Sequence, residues 1–116
     1  MKILSLISGA DGQSHFSEVD LPEMDSYAGR KSVMQMCAGW EVGESRAGAF
    51  LDFHVARVPR VLIVLSGALE VGLGSGEVRR FGPGDALYAQ DTTGQGHTSR
   101  FVGDTPTRML TIPIKP

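Results

Sequence analysis

The chain lacks several patterns that would each identify a class of protein. A single cysteine, Cys37, stands in 116 residues, so an intrachain disulfide framework is excluded. Within its mostly apolar run, Cys37 reads as a buried small hydrophobe rather than a nucleophile. Charge clusters go no further than pairs such as Arg79–Arg80, and 13 acidic against 11 basic side chains leave a formal net charge of −2. Nothing here predicts nucleic acid or an anionic membrane as partner. Long apolar runs are also missing. The start, MKILSLISGADG, offers only Ile3 to Ile7, interrupted by Ser5, which is shorter than the roughly 7–15 residues of a signal-peptide core. No segment approaches the ~20 apolar residues of a membrane span. A soluble, cytoplasmic chain is the expectation. Helical periodicity is absent from every window of about 11 residues, and 23–30 (EMDSYAGR) has room for one helical turn at most.

What the chain has is turn chemistry at short intervals. Fifteen glycines and six prolines punctuate short runs rich in β-branched residues, the composition of many strands joined by tight turns. Strands are predicted over Lys2–Ser8, Ser14–Leu21, Lys31–Trp40, Phe50–Ala56, Arg60–Ser66, Ala68–Leu73, Glu77–Phe81, Ala86–Gln90, His97–Val102 and Arg108–Ile114. Turns fall at Gly9–Gly12, Ser66–Gly67 and Gly74–Gly76. Val61–Leu65 is apolar on both faces, as in a strand between a barrel interior and a second buried surface, either a packed sheet or a subunit interface. The length suits one domain, 1–116, with N-terminal strands over 1–40, barrel motifs over 48–101 and a last strand over 106–115. Gly72-x-Gly74-x-Gly76 is not a nucleotide loop, because a strand-like run and no helix follows it.

Two spacings carry more. From Gly48 there are five residues to His54, one more to Ala56, three to Arg60 and six to Gly67. This resembles the first cupin signature, G-x5-H-x-H-x3-E-x6-G, with Ala56 at the second His and Arg60 at the Glu. From Gly84 there are five residues to Gln90, and Gly94, His97 and Phe101 follow. That resembles the second signature, G-x5-P-x-G-x2-H-x3-N, with two extra residues before Gly94 and Phe101 in place of Asn. The chain is thus similar to a small single-domain cupin. It also looks like a subgroup of short bacterial members with stretches like Ser14-His15-Phe16, Asp52-x-His54-x-Ala56, Val64–Gly67, Phe81–Asp85 and Asp91–His97. The resemblance implies an all-β jelly-roll barrel with a cavity between two sheets, and homodimers in which sheet faces or N-terminal strands pair.

Strand alternation predicts that Asp52, His54 and Ala56 share one face, which the resemblance turns into the barrel. The resemblance also implies that His54 and His97 approach one another from neighbouring strands. Two imidazoles in a partly apolar cavity suit proton transfer near neutral pH. Asp52 is placed to orient a histidine, and Arg60 to stabilise an oxyanion unless it and Arg57 are only rim charges. Gln35, Trp40, Tyr88 and Phe101 either line the cavity or pack in the ordinary core, and Thr92, Thr93, Gly94 and Gly96 form a polar approach to His97 or a structural turn. His15 lies outside both motifs and reads as peripheral.

Three functions follow from these residues. The first is a metal-independent enzyme of isomerase, cyclase or lyase type on a small organic substrate, with His54 and His97 moving protons. The second is a non-catalytic binder of a small metabolite. The third is a metal-dependent oxygenase or isomerase holding a divalent ion (Zn, Fe, Ni or Mn) on His54, His97 and Asp52. In that case the Arg60 cation stands against the metal. No cofactor is expected under the first reading.

Overall fold

The computed structural model describes residues 1–23, 28–29 and 32–115. Ten strands run in chain order: β1 (Lys2–Ser8), β2 (Ser14–Asp20), β3 (Glu41–Ser45), β4 (Phe50–His54), β5 (Arg60–Ser66), β6 (Ala68–Gly72), β7 (Val78–Phe81), β8 (Ala86–Gln90), β9 (His97–Val102) and β10 (Thr107–Pro113). They form two facing sheets, one of six strands ordered β2-β1-β8-β5-β10-β3 and one of four ordered β4-β9-β6-β7. Every strand pairing is antiparallel except β1 with β8. Among the described residues there is no helix. The all-β expectation holds.

Alternation decides which side chains fill the space between the sheets. On β5, Leu62 and Val64 point inward, and on β8 Leu87 and Ala89 do. Leu6, Val64, Val71, Leu73, Phe81 and Leu87 close one end of the barrel as a dry core, each such side chain contributing about 1.5–3 kcal/mol over its exposed state. Leu69 and Phe101 belong to that core and also border a cavity at the other end. The apolar outer face of β5 is half covered: Val61 and Ile63 are half-buried and Leu65 is exposed.

Two expectations need correction. The strand predicted over Lys31–Trp40 does not form across the described residues 32–40, which hold only an isolated bridge between Cys37 and Ile114. Its apolar alternation is real, but β3 already occupies the free edge of β10 from Thr107 to Thr111. Only the tail of β10 remains, where Ala38 N donates to Pro113 O and Lys115 N to Met36 O. Cys37 is accordingly exposed rather than buried. β3 itself, EVGES, carries too little apolar character to be read as a strand, which is how a short charged edge strand avoids pairing with other chains. The helical turn allowed over 23–30 falls on residues 24–27 and 30, outside the described residues.

Candidate functional site

The cavity between the open ends of the two sheets measures about 500 Å³. One wall comes from β4 and β9, with Leu51, His54, His97 and Ser99. The facing wall comes from β5, β8, β10 and β3, with Arg60, Leu62, Ala89, Met109 and Glu41.

A β-bulge builds the reactive wall. β9 alternates regularly, so His97, Ser99 and Phe101 all face the cavity. Opposite it, Leu51 pairs with Ser99 and His54 with His97, so Asp52 and Phe53 stand against Thr98 alone. The extra residue reverses the alternation of β4. Leu51 and His54 point inward and the Asp52 side chain is turned away. The two imidazoles then meet with ring centroids 4.5 Å apart and planes inclined at 56°. Gly96 makes this approach possible. Its φ is +81°, and a Cβ there would collide with the carbonyl of His54 and lie 2.8 Å from Val55 N.

Each ring is anchored through Nδ1. His54 Nδ1 lies 2.8 Å from the Asp52 carbonyl oxygen, which only accepts, so this nitrogen carries the proton and Nε2 is the free nitrogen. His97 Nδ1 lies 2.6 Å from Asp91 Oδ2, and Ser14 Oγ donates to the same oxygen at 2.6 Å. Asp91 is fully buried and Ser14 nearly so. A carboxylate withdrawn from water costs several kcal/mol unless hydrogen-bonded, so these two contacts and the imidazole depend on one another. The backbone of Asp91 is engaged too, its carbonyl accepting from Ala56 N at 3.1 Å. Ala56, at the position of the second His in the cupin pattern, thus ties β4 to the residue that orients His97.

Asp91 and Ser14, which hold His97 from behind, are among the site residues that sequence reasoning missed. Both stand inside quoted stretches, Ser14-His15-Phe16 and Asp91–His97, and an acid six residues before a cavity histidine was the available signal. The predicted orienting residue, Asp52, is not on the cavity wall: its side chain is exposed and Oδ1 accepts from the Phe53 amide at 2.9 Å. Of the predicted lining residues, Phe101 borders the cavity, whereas Gln35, Trp40 and Tyr88 do not. Tyr88 alternates with Leu87 and Ala89 and so faces the outer side of its sheet, where Gln35 Nε2 reaches its hydroxyl at 3.5 Å. Trp40, just before β3, is 71% exposed. Arg57 and Arg60 both border the cavity, Arg60 half-buried with Nε donating to Val58 O at 3.2 Å.

The stretch 92–96 is a structural turn held against the N-terminal hairpin. Thr93 N donates to Ser8 Oγ and Gln95 N to Gly12 O. His15 is exposed and bonds Asp11, away from the cavity. The Gln13 amide and then His15 hold the Asp11 carboxyl below its ordinary range.

The donor set does not fit a resident metal with three protein ligands. Among the described residues no group of three or more His, Cys, Asp or Glu is placed to hold one. His54 and His97 offer two nitrogens, Asp52 points outward, Asp91 Oδ2 is engaged by His97 and Ser14, and Arg60 brings a cation into the same space.

No protein-family model matches the sequence, and no curated protein does. Solved structures do match. A Klebsiella pneumoniae protein with a double-stranded β-helix domain superposes with a TM-score of 0.54 at 20% identity, over 72% of this chain and 76% of its own. A sugar phosphate isomerase of the cupin superfamily from Silicibacter pomeroyi gives 0.55 at 18% identity, over 91% of this chain and 61% of its own. The polyketide cyclase RemF from Streptomyces resistomycificus gives 0.52 at 19% identity, over 65% of this chain and 54% of its own. At these identities the likeness concerns architecture alone: two facing sheets, ten strands and a cavity at one end make this chain a cupin-type double-stranded β-helix.

Proposed function

We propose that the cavity binds a small organic molecule and that His54 and His97 perform acid/base chemistry on it without a metal, in the manner of an isomerase, cyclase or lyase. The observation that carries this reading is the pair of imidazoles 4.5 Å apart, each anchored at Nδ1. Anchoring leaves Nε2 on each ring for proton transfer. One Nε2 takes a proton from a carbon beside a carbonyl, and the C–H electron pair moves into the carbonyl to give an enolate. The other imidazole, carrying a proton on Nε2, delivers it to a different atom of the substrate. The pair ends with the same total charge. The exchange requires one imidazole neutral at Nε2 and the other carrying a proton there. Arg60 supplies positive charge in the same cavity, where an enolate gathers negative charge. Two of the structural neighbours are named as a cyclase and an isomerase, reactions of the kind proposed, though the likeness to them is one of fold.

The test is solvent-deuterium exchange. The chelator-treated protein, with metal content checked by elemental analysis, is incubated in D₂O with a panel of enolisable ketones, aldehydes and oxo acids, and deuterium incorporation is followed by NMR. Exchange by the metal-free protein that is lost in His54→Ala and His97→Ala is expected. Exchange that survives both substitutions, or that appears only with a stoichiometric metal, overturns the reading. Binding with no exchange would make the chain a binding module.

A further inference from the structure

We infer that the ligand of this cavity is a small organic acid with an apolar tail, its carboxylate held by Arg60. The inference rests on the cavity being the working site proposed above, and it names the chemical class that the site selects. Three observations support it. First, the charge in the cavity wall is uneven: Arg57 and Arg60 face it with Glu41 as the single carboxylate side chain. Second, the cations are uncompensated. Arg60 donates Nε to Val58 O, and among the described residues neither Arg57, Arg60 nor Glu41 takes part in an ion pair. A half-buried guanidinium is partly stripped of water, and its remaining N–H donors need acceptors. The Val58 bond fixes one side of the fork and leaves the terminal nitrogens for a bidentate partner, the geometry in which arginine binds carboxylates.

Third, polarity is unevenly spread over the cavity lining. Leu62, Leu69, Phe101 and Met109 form an apolar stretch of wall that belongs to the dry core or packs against it, whereas Arg60 and the two histidines supply polar groups elsewhere on the lining. An acid with a short hydrocarbon tail satisfies both at once: tail on the apolar stretch, carboxylate at Arg60, and the intervening carbon beside the imidazoles. A cavity of about 500 Å³ lies within the common range for small-molecule sites. The same guanidinium then serves the carboxylate in the ground state and the charge that develops beside it during proton transfer.

Matched probes test this on the whole chain without any need for turnover. Hexanoate and hexanamide, and 3-phenylpropionate and 3-phenylpropionamide, are titrated to about 10 mM, a weak-affinity limit, while backbone amide signals of Leu62, His97 and Ser99 are followed by NMR. Each acid should bind at least about tenfold more tightly than its amide, the scale of a hydrogen-bonded charge. Arg60→Gln should erase that preference and Arg60→Lys should keep part of it, with unchanged signal dispersion showing that both variants fold. Amides that bind as well as acids, an undiminished preference in Arg60→Gln, or no binding by either acid would each overturn the inference. The acid/base reading fails separately. Acid preference with no histidine-dependent exchange would sink that reading alone, whereas histidine-dependent exchange on neutral compounds without acid preference would sink this one.

Discussion

Replacing Ser14 with alanine removes one of two donors to a carboxylate that has no contact with water. Ser14 is 1% exposed and Asp91 0%, and the bond between them measures 2.6 Å. Asp91 Oδ1 accepts nothing from the described residues, so after the substitution only His97 supports the side chain. A hydrogen bond to a charged group is worth about 1.5–3 kcal/mol, and solvent cannot replace it at a fully buried atom. Ser14→Ala should therefore lower stability by about 2 kcal/mol, a fall in Tm of about 8 °C for a domain of this size. Urea denaturation followed by circular dichroism measures the change, with an unaltered m-value confirming that it lies in the folded state. A double-mutant cycle with Asp91→Asn then separates the contact from its surroundings. A coupling energy of at least about 1 kcal/mol is expected. Loss of less than about 0.5 kcal/mol in Ser14→Ala, the range of an ordinary surface change, would refute the reasoning. It would mean that the N-terminal hairpin does not hold Asp91, and that His97 is oriented by the imidazole–carboxylate contact alone.

Gly96→Ala should cost more than about 2 kcal/mol, because the residue has positive φ and its new methyl group meets the His54 carbonyl. The NMR signals of His54 and His97 should shift together, and an unshifted pair would contradict the close approach. Asp52→Asn should change stability by less than about 0.5 kcal/mol and leave ligand binding intact, since its side chain points out of the cavity. Loss of binding in that variant would restore Asp52 to the site. Asp11 yields a pH dependence. Its folded carboxyl sits below the ordinary value, first through the Gln13 amide and then through His15. A depressed acid stabilises the fold above its unfolded value and loses that contribution as pH falls through the folded one. The Tm difference between wild type and Asp11→Asn should be present above about pH 4 and close below it. A difference that grows on acidification would reverse the sign and refute the assignment.

How much could be read in the sequence depends on how local its cause is. Nine of the ten strands follow from alternation bounded by glycine and proline turns, and the pairing of His54 with His97 is what the resemblance of two spacings to the cupin signatures implies. β3 was not legible because its stability comes from the edge of β10 rather than from its own composition. The apolar segment before it, which reads as a better strand, is kept off that edge because β3 is already there. Tyr88 reads as either a cavity-lining or an ordinary packing residue, and its position relative to Leu87 and Ala89 puts it outside the cavity, buried at 4% exposure. Ser14 and Asp91 lie 77 residues apart, on a hairpin and a loop whose meeting is a tertiary event. Arg60 was legible as a departure from a pattern, though its lack of an ionic partner was not.

The error over Asp52 has the most instructive cause. Period-two alternation puts positions 52 and 54 on one face of a regular strand. The bulge between Leu51 and His54 breaks it, and pairing with β9 is the only place where the break can be seen. That irregularity has a chemical consequence. It takes the Asp52 carboxylate out of the cavity and brings the Asp52 carbonyl to His54 Nδ1. Across the sheet, Asp91 occupies His97 Nδ1. Both rings are thereby oriented from behind, with no ligand needed at Nε2 to hold them. A metal ion would orient two imidazoles through the very nitrogens a proton-transfer pair must keep free. Anchoring at Nδ1 is shared with histidines that ligate a metal, so what sets this site apart from a three-ligand centre is Ala56 and Arg60 at the other two motif positions.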